Sequence, residues 1–131
     1  MSRKTGLVWN ERFMWHDQGR YAGIMPAEFP MQQGEHHEHP ETKRRLKNLL
    51  DASEMTEKLV AIKARPITRD ELLRVHTLGY LDKLDAGNHE YAAVAGFDAP
   101  YTRGSVDIAK LAAGGCLAAV DAIFNRKVDN A

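Results

Sequence analysis

Apolar residues along this chain fall into two kinds of run, and the spacing within each run predicts the element. Thr5–Trp9 (TGLVW) and Leu59–Ala64 (LVAIKA) are short and compact, which predicts strands, the second ended by Pro66. Leu46, Leu49 and Leu50 recur at i, i+3 and i+4, the signature of one apolar helix face. Pro40 suits the first turn of that helix, where its missing N–H would have no partner anyway. Glu41 follows at the positive end of the helix dipole. Lys43, Arg44 and Lys47 are then expected to face water. Between the first strand and this helix, Asn10–Phe29 reads as irregular, punctuated by Gly19, Gly23, Pro26 and then Pro30. Met31–His39 has no period and reads as loop.

The second half repeats the helical signal twice. Thr68-Arg69-Asp70-Glu71 has capping-box spacing, in which the threonine hydroxyl and the glutamate carboxylate each satisfy a backbone N–H of the other. The helix it opens carries Leu72, Leu73, Val75, His76, Tyr80, Leu81 and Leu84, with Gly79 as a candidate break. His76, within that apolar run, is expected to be a core histidine with a satisfied ring. Asp85–Gly104 reads as loop, and a loop of about 20 residues in a compact domain usually has a function. Ser105 is expected to cap a last helix reaching about Asn125, apolar on nearly every side. Within it, Ala112-Ala113-Gly114-Gly115 leaves so little side chain that a neighbour's backbone is expected against it. Cys116 is expected there as a small buried apolar residue. The tail Arg126–Ala131 is polar.

Strand, helix, strand, helix, loop, helix is the order of an α/β layered sheet. Two strands alone are marginal in water. The chain therefore reads as the opening portion of a larger α/β domain, residues 1–131 having no internal boundary. Its last helix lacks enough sheet to cover it, so self-association is expected, with Ala112–Gly115 as a contact.

Composition narrows the partners. The 131 residues carry 18 Lys+Arg and 18 Asp+Glu, a formal net charge of zero, so no basic footprint for nucleic acid is present. No apolar run approaches the ~20 residues of a membrane span. MSRKTGLVWNERF has no apolar signal-peptide core, and a cytoplasmic location is expected. The one cysteine cannot form an internal disulfide.

Chemistry concentrates in GEHHEHPETKRRL (Gly34–Leu46), with three histidines, three carboxylates and then three cations. His36, His37 and His39 supply, on paper, the three ligands of an open metal site. A loop does not preorganise ligands, however, and adjacent histidines do not easily converge on one ion, so no native metal is expected from this chain. A polar loop entering a helix is the plainer reading. His16-Asp17 has the form of a base and its orienter, but neighbours in sequence need not meet, and a structural role is expected. Asp98, before Ala99-Pro100, suits an Asx turn.

Four segments together resemble one family. They are His39-Pro40-Glu41-Thr42-Lys43-Arg44-Arg45-Leu46, Glu71-Leu72-Leu73-Arg74-Val75-His76-Thr77, Gly96-Phe97-Asp98-Ala99-Pro100, and Gly104-Ser105 followed by Ile108 to Gly115. In this order they resemble the N-terminal third of the histone deacetylase superfamily. The similarity is greatest to bacterial histone-deacetylase-like amidohydrolases and acetylpolyamine amidohydrolases. The resemblance implies an arginase/deacetylase-like three-layer fold with a parallel sheet. It implies a zinc-dependent amidohydrolase acting on acetyl-lysine, acetylpolyamine or a similar amide. It places Asp98 at the channel rim as an acceptor for substrate amides, Phe97 beside it as an apolar wall, and Arg45 in an internal cavity that handles the released acid. It also implies that the zinc ligands, the tandem-histidine proton shuttle and the catalytic tyrosine lie beyond these residues. No catalytic or metal residue is therefore expected in this chain, nor activity from it alone. A stand-alone interaction or oligomerisation module is the alternative, and a metal-binding module built on the histidine loop a third reading.

Overall fold

A computed structural model describes residues 3–21, 30 and 32–131. The expected breakers Gly23 and Pro26, and Met31 at the start of the expected loop, lie outside the described residues. The first strand, β1 (Gly6–Val8), leads into a 3-10 turn over Glu11–Trp15. Two short strands follow, β2 (Arg20–Tyr21) and β3 (Gly34–Glu35), paired antiparallel. Helix α1 (Glu41–Ala52), a second 3-10 turn at Thr56–Lys58 and β4 (Val60–Ile62) come next. Then come α2 (Arg69–Leu72), α3 (Leu78–Gly87), the strand pair β5 (Ala93–Val94) and β6 (Pro100–Tyr101), and α4 (Ser105–Phe124).

The architecture is α/β, as expected. β1 and β4 pair in parallel, Gly6 opposite Val60 and Val8 opposite Ile62, with α1 in the connection between them. A parallel pair needs such a crossover. The tail supplies what two strands alone lack. The Gly6 N–H donates to the Asn130 carbonyl at 2.7 Å and the Asp129 N–H to the Lys4 carbonyl at 2.8 Å, beside a parallel bridge between Thr5 and Asn130. Val128 is buried. The tail expected to be merely polar thus pairs with the first strand, and α4 packs on β1 and β4.

Several elements differ from the sequence expectation. On α1, Leu46 and Leu49 are exposed at 59% and 64%, whereas Arg44, Lys47 and Leu50 are half-buried. The half-buried face carries charge pairs. Arg44 donates to Glu11 of the first 3-10 turn at 2.6 Å and to Glu41 at 3.0 Å. Lys47 binds Asp51, and its ammonium lies over the Trp9 ring, 5.7 Å from the centre.

The helix after Thr68 is two helices, and the break falls at residues 73–77 rather than at Gly79, which lies inside α3. The Thr77 hydroxyl accepts from the Tyr80 N–H at 3.3 Å and caps the second piece. The break leaves Leu73, Val75 and Leu78 exposed, so the expected apolar face is only partly buried. His76 is also exposed, its ring tilted against Tyr80 at 5.4 Å, and is not a core residue. Cys116 is exposed as well, not buried as expected.

The capping box at Thr68 forms, and Arg65 extends it. Its guanidinium grips Glu71 through two parallel bonds of 2.9 and 2.7 Å, while the Thr68 N–H donates to the same carboxylate at 2.8 Å. These bonds, Arg65 first, pull the Glu71 carboxyl from an ordinary 4.5 down to about 2. A depressed carboxyl stabilises the fold above its unfolded value and loses that contribution as pH falls through the folded one. Glu71→Gln is therefore expected to be less stable than wild type above pH 4.5, the gap closing as pH falls toward about 2. Urea titrations at stepped pH check this. A gap that persists unchanged at the acid end would show that the charge contributes nothing.

Helix α4 is not capped by Ser105. Gly104, at φ +82°, occupies the cap position with no side chain to offer, and Ser105 is the first helical residue. Asn88, buried at the end of α3, takes over. Its side-chain oxygen accepts the Val106 N–H at 2.9 Å, its amide donates to Asp107 at 3.1 Å, and its carbonyl accepts the Gly104 N–H at 3.0 Å. The Ser105 hydroxyl instead donates to the Asp17 carbonyl at 3.3 Å, joined there by Thr102. These bonds tie the segment after the first 3-10 turn to the entrance of α4.

Candidate functional site

The expected long loop contains the hairpin β5–β6, whose ends pair Ala93 with Tyr101 and Val94 with Pro100. The turn between them is tight. The Ala99 N–H donates to the Gly96 carbonyl at 3.2 Å, and the Ala95 N–H to the Ala99 carbonyl at 2.9 Å. Asp98 sits in the turn at φ +51°, a left-handed conformation that aspartate tolerates better than most residues. This directs its carboxylate back toward the β2–β3 pair rather than to solvent. Phe97, one residue earlier, is 94% exposed at the tip.

On the facing side, β3 delivers Glu35 and then a turn closed by the His39 N–H on the His36 carbonyl at 3.1 Å. His36 is 1% exposed, the most completely buried polar residue described. Its Nε2 lies 3.2 Å from Asp98 Oδ1, and its Nδ1 accepts the Glu38 N–H at 3.1 Å. The second bond decides the first. Because Nδ1 is an acceptor, the ring proton is on Nε2, which donates to Asp98. His37, about half exposed, stacks on His36 with ring centres 4.3 Å apart, and its Nε2 lies 3.6 Å from Asp98 Oδ2. His39 is turned elsewhere, its Nδ1 accepting the Glu41 N–H at 3.3 Å at the entry to α1.

Neighbouring histidines do converge here, contrary to the sequence expectation. One ligand atom from each of His36, His37 and Asp98 lies within 4.8 Å of the others. The set nevertheless does not fit a metal as it stands. Both His36 nitrogens are committed, one as acceptor and one as donor, whereas a ligating imidazole needs a free lone pair and usually donates from its other nitrogen. A metal here would have to displace the His36–Asp98 bond and strip the ring proton.

A cavity of about 550 Å³ opens beside the carboxylate, lined by His16, Gln18, Glu38, Asp98 and Tyr101 among others. Burial lowers the His16 pKa, opposed by Asp17 and reinforced by His36. Among the described residues the Asp17 carboxylate makes no hydrogen bond to His16. It accepts the Gly19 N–H at 2.8 Å, an Asx turn. The Gln18 side-chain oxygen is buried without a partner among the described residues. Tyr101, buried, has its phenol pKa raised by desolvation.

Of the residues singled out from sequence, the structure brings Asp98 to this cavity, whereas Phe97 is exposed at the hairpin tip and is not among the residues lining it. Arg45 is exposed on α1 and is not among the residues lining the cavity. Sequence reasoning missed the link from His36 to Asp98, since no spacing rule connects positions 62 apart.

The histone deacetylase domain family matches residues 36–131. Over the whole chain, 41% of positions are identical to a histone deacetylase-like amidohydrolase of Pseudomonas aeruginosa, of which the chain spans 35%. A protein of Archaeoglobus fulgidus named "Probable deacetylase" is 27% identical over 97% of the chain and 32% of its own length. Among solved structures, the HD domain of HDA15 superposes on 97% of the chain and 33% of its own with a TM-score of 0.80 at 27% identity. The chain thus spans about a third of the proteins it matches, along the stretch that carries the His36–Asp98 cluster and all four helices: it belongs to the histone deacetylase family.

Proposed function

We propose that these residues are the opening portion of an amidohydrolase that removes acetyl or other acyl groups from lysine side chains, polyamines or related amides. In this reading the chain contributes the substrate clamp and not the hydrolytic centre. The carrying observation is the Asp98 carboxylate, aimed from a left-handed turn along the edge of a cavity of about 550 Å³. An ionised carboxylate only accepts, and its two oxygens suit the N–H donors of an amide substrate. Arg45 is assigned to acid release through the resemblance alone.

The family resemblance implies zinc for the whole enzyme, where it would polarise the amide carbonyl and activate water. Neither an Asp-x-His nor a Pro-Gly-His-His sequence occurs in the 131 residues, and in the His36, His37, Asp98 set both His36 nitrogens are already hydrogen-bonded.

The test compares the 131 residues with a longer protein that contains them, on a fluorogenic acetyl-lysine peptide and an acetylpolyamine. The longer protein is expected to turn over at least one, to lose activity to a chelator and to regain it with zinc. The 131 residues are expected to show no turnover above a metal-only control. Turnover by the purified short chain would sink the division of labour. No turnover by the longer protein, together with a concentration-dependent mass of the short chain, would favour the second reading, a self-associating module. That reading is supported by the exposed Leu46, Leu49, Val120 and Phe124. The small-residue stretch of α4 does not serve it, because Gly114 and Gly115 are already covered by residues of the same chain.

A further inference from the structure

We infer that His36 is a positioning residue that splits the work of the two Asp98 oxygens, one held by the protein and the other left for substrate. The inference rests on the proposed clamp role of Asp98. Both ring nitrogens of His36 are engaged, Nδ1 by the Glu38 N–H at 3.1 Å and Nε2 by Asp98 Oδ1 at 3.2 Å. Two bonds on opposite sides of a planar ring fix its orientation. Near-complete burial and the stacked His37 ring leave it no room to turn. The proton on Nε2 therefore sits at one place and holds Oδ1 there.

Oδ2 is in a different position. His37 Nε2 lies 3.6 Å from it, beyond a normal hydrogen bond, on a side chain about half exposed. The Asp98 side chain as a whole keeps 20% of its surface accessible. One carboxylate oxygen is anchored and the other has no hydrogen bond of normal length among the described residues, on a residue that lines the cavity. A hairpin turn without an anchor would let the carboxylate rotate among several directions, and a substrate N–H would have to select one of them. Anchoring removes that cost before substrate arrives, the general advantage of preorganised binding groups.

The device explains why a buried histidine stands 62 positions from the residue it serves, on a separate strand pair. It also explains the Glu38 N–H bond. Without that bond the ring could carry its proton on Nδ1 and turn a bare Nε2 lone pair toward the carboxylate, which would repel it.

The test is a double-mutant cycle on deacetylation by the longer protein that contains this chain, using His36→Phe, His36→Gln, Asp98→Asn and the Phe/Asn double variant. His36→Phe keeps the ring and removes the donor, and is expected to lower kcat/KM about tenfold or more, chiefly through KM. His36→Gln places an amide N–H near the Nε2 position and is expected to recover most of the loss. The double variant is expected to match Asp98→Asn alone, because an anchored amide oxygen leaves an NH2 donor where the substrate N–H needs an acceptor, so the anchor no longer serves binding. Additive losses would overturn the inference. If Asp98→Asn itself leaves kcat/KM unchanged, the clamp reading fails, and the inference with it. Nitrogen-15 NMR of the wild-type imidazoles supplies a readout that does not depend on the variants folding. His36 is expected as the Nε2–H tautomer, with that proton shifting in Asp98→Asn, and an Nδ1–H tautomer would overturn the inference.

Discussion

Gly114→Ala is expected to destabilise the fold by about 2–3 kcal/mol, in the range of overpacking a close contact. In an exposed helix the same change would stabilise by up to ~1 kcal/mol. The sign reverses here because α4 lies directly on backbone. A Cβ at position 114 would collide with the Arg65 carbonyl oxygen, and would stand 2.5 Å from the Ile67 nitrogen and 2.6 Å from the Pro66 carbonyl carbon. That segment cannot withdraw easily. The Ile67 N–H donates to the Lys110 carbonyl of α4 at 2.9 Å, and Arg65 on its other end grips Glu71. Two other glycines serve as controls. At Gly115 the nearest atom to an added Cβ is the Val8 Cγ1 at 2.9 Å, a side-chain end that can shift, so a smaller loss is expected. At Gly79 nothing lies within 4 Å, and alanine is expected to stabilise. Urea denaturation of the three variants measures the ranking. Gly114→Ala within about 0.5 kcal/mol of wild type would show that the backbone contact is dispensable.

Asp98→Asn in the longer protein is expected to lower kcat/KM at least tenfold while leaving the melting temperature nearly unchanged. A charged hydrogen-bond acceptor contributes ~1.5–3 kcal/mol, which corresponds to that loss when it acts on substrate. Asparagine keeps the shape and tolerates the left-handed conformation at φ +51°. Asp98→Ala removes that tolerance as well, and is expected to lose about 1 kcal/mol of stability in addition. The pair separates charge from backbone strain. Equal stability losses in both variants, with kcat/KM intact, would return Asp98 to a purely structural role in its hairpin.

Several features were legible because they are local. The capping box at Thr68 forms among residues three apart, so their spacing was sufficient. The small-residue stretch at Ala112–Gly115 announced a close backbone, and the backbone of residues 65–67 is there. Gly96-Phe97-Asp98-Ala99-Pro100 marked the turn that carries the candidate clamp, because glycine, aspartate and proline have narrow conformational uses.

What the sequence by itself determined, then, is β1, β4, α1 and α4, the α/β class and the turn that holds Asp98, all properties of short windows whose side chains act on their own backbone. Tertiary structure alone decided the rest. It chose which face of α1 turns inward, the one that pairs Arg44 with Glu11, 33 positions away, rather than the one that carries Leu46 and Leu49. It gave the cap of α4 to Asn88 rather than to Ser105, and made the polar tail a partner of β1. It also joined His36 to Asp98. Each of these is a hydrogen bond or ion pair between residues far apart in the chain, and such a bond has no periodicity to betray it. It exists only once hydrophobic packing, which is non-directional, has brought the two polar groups within reach.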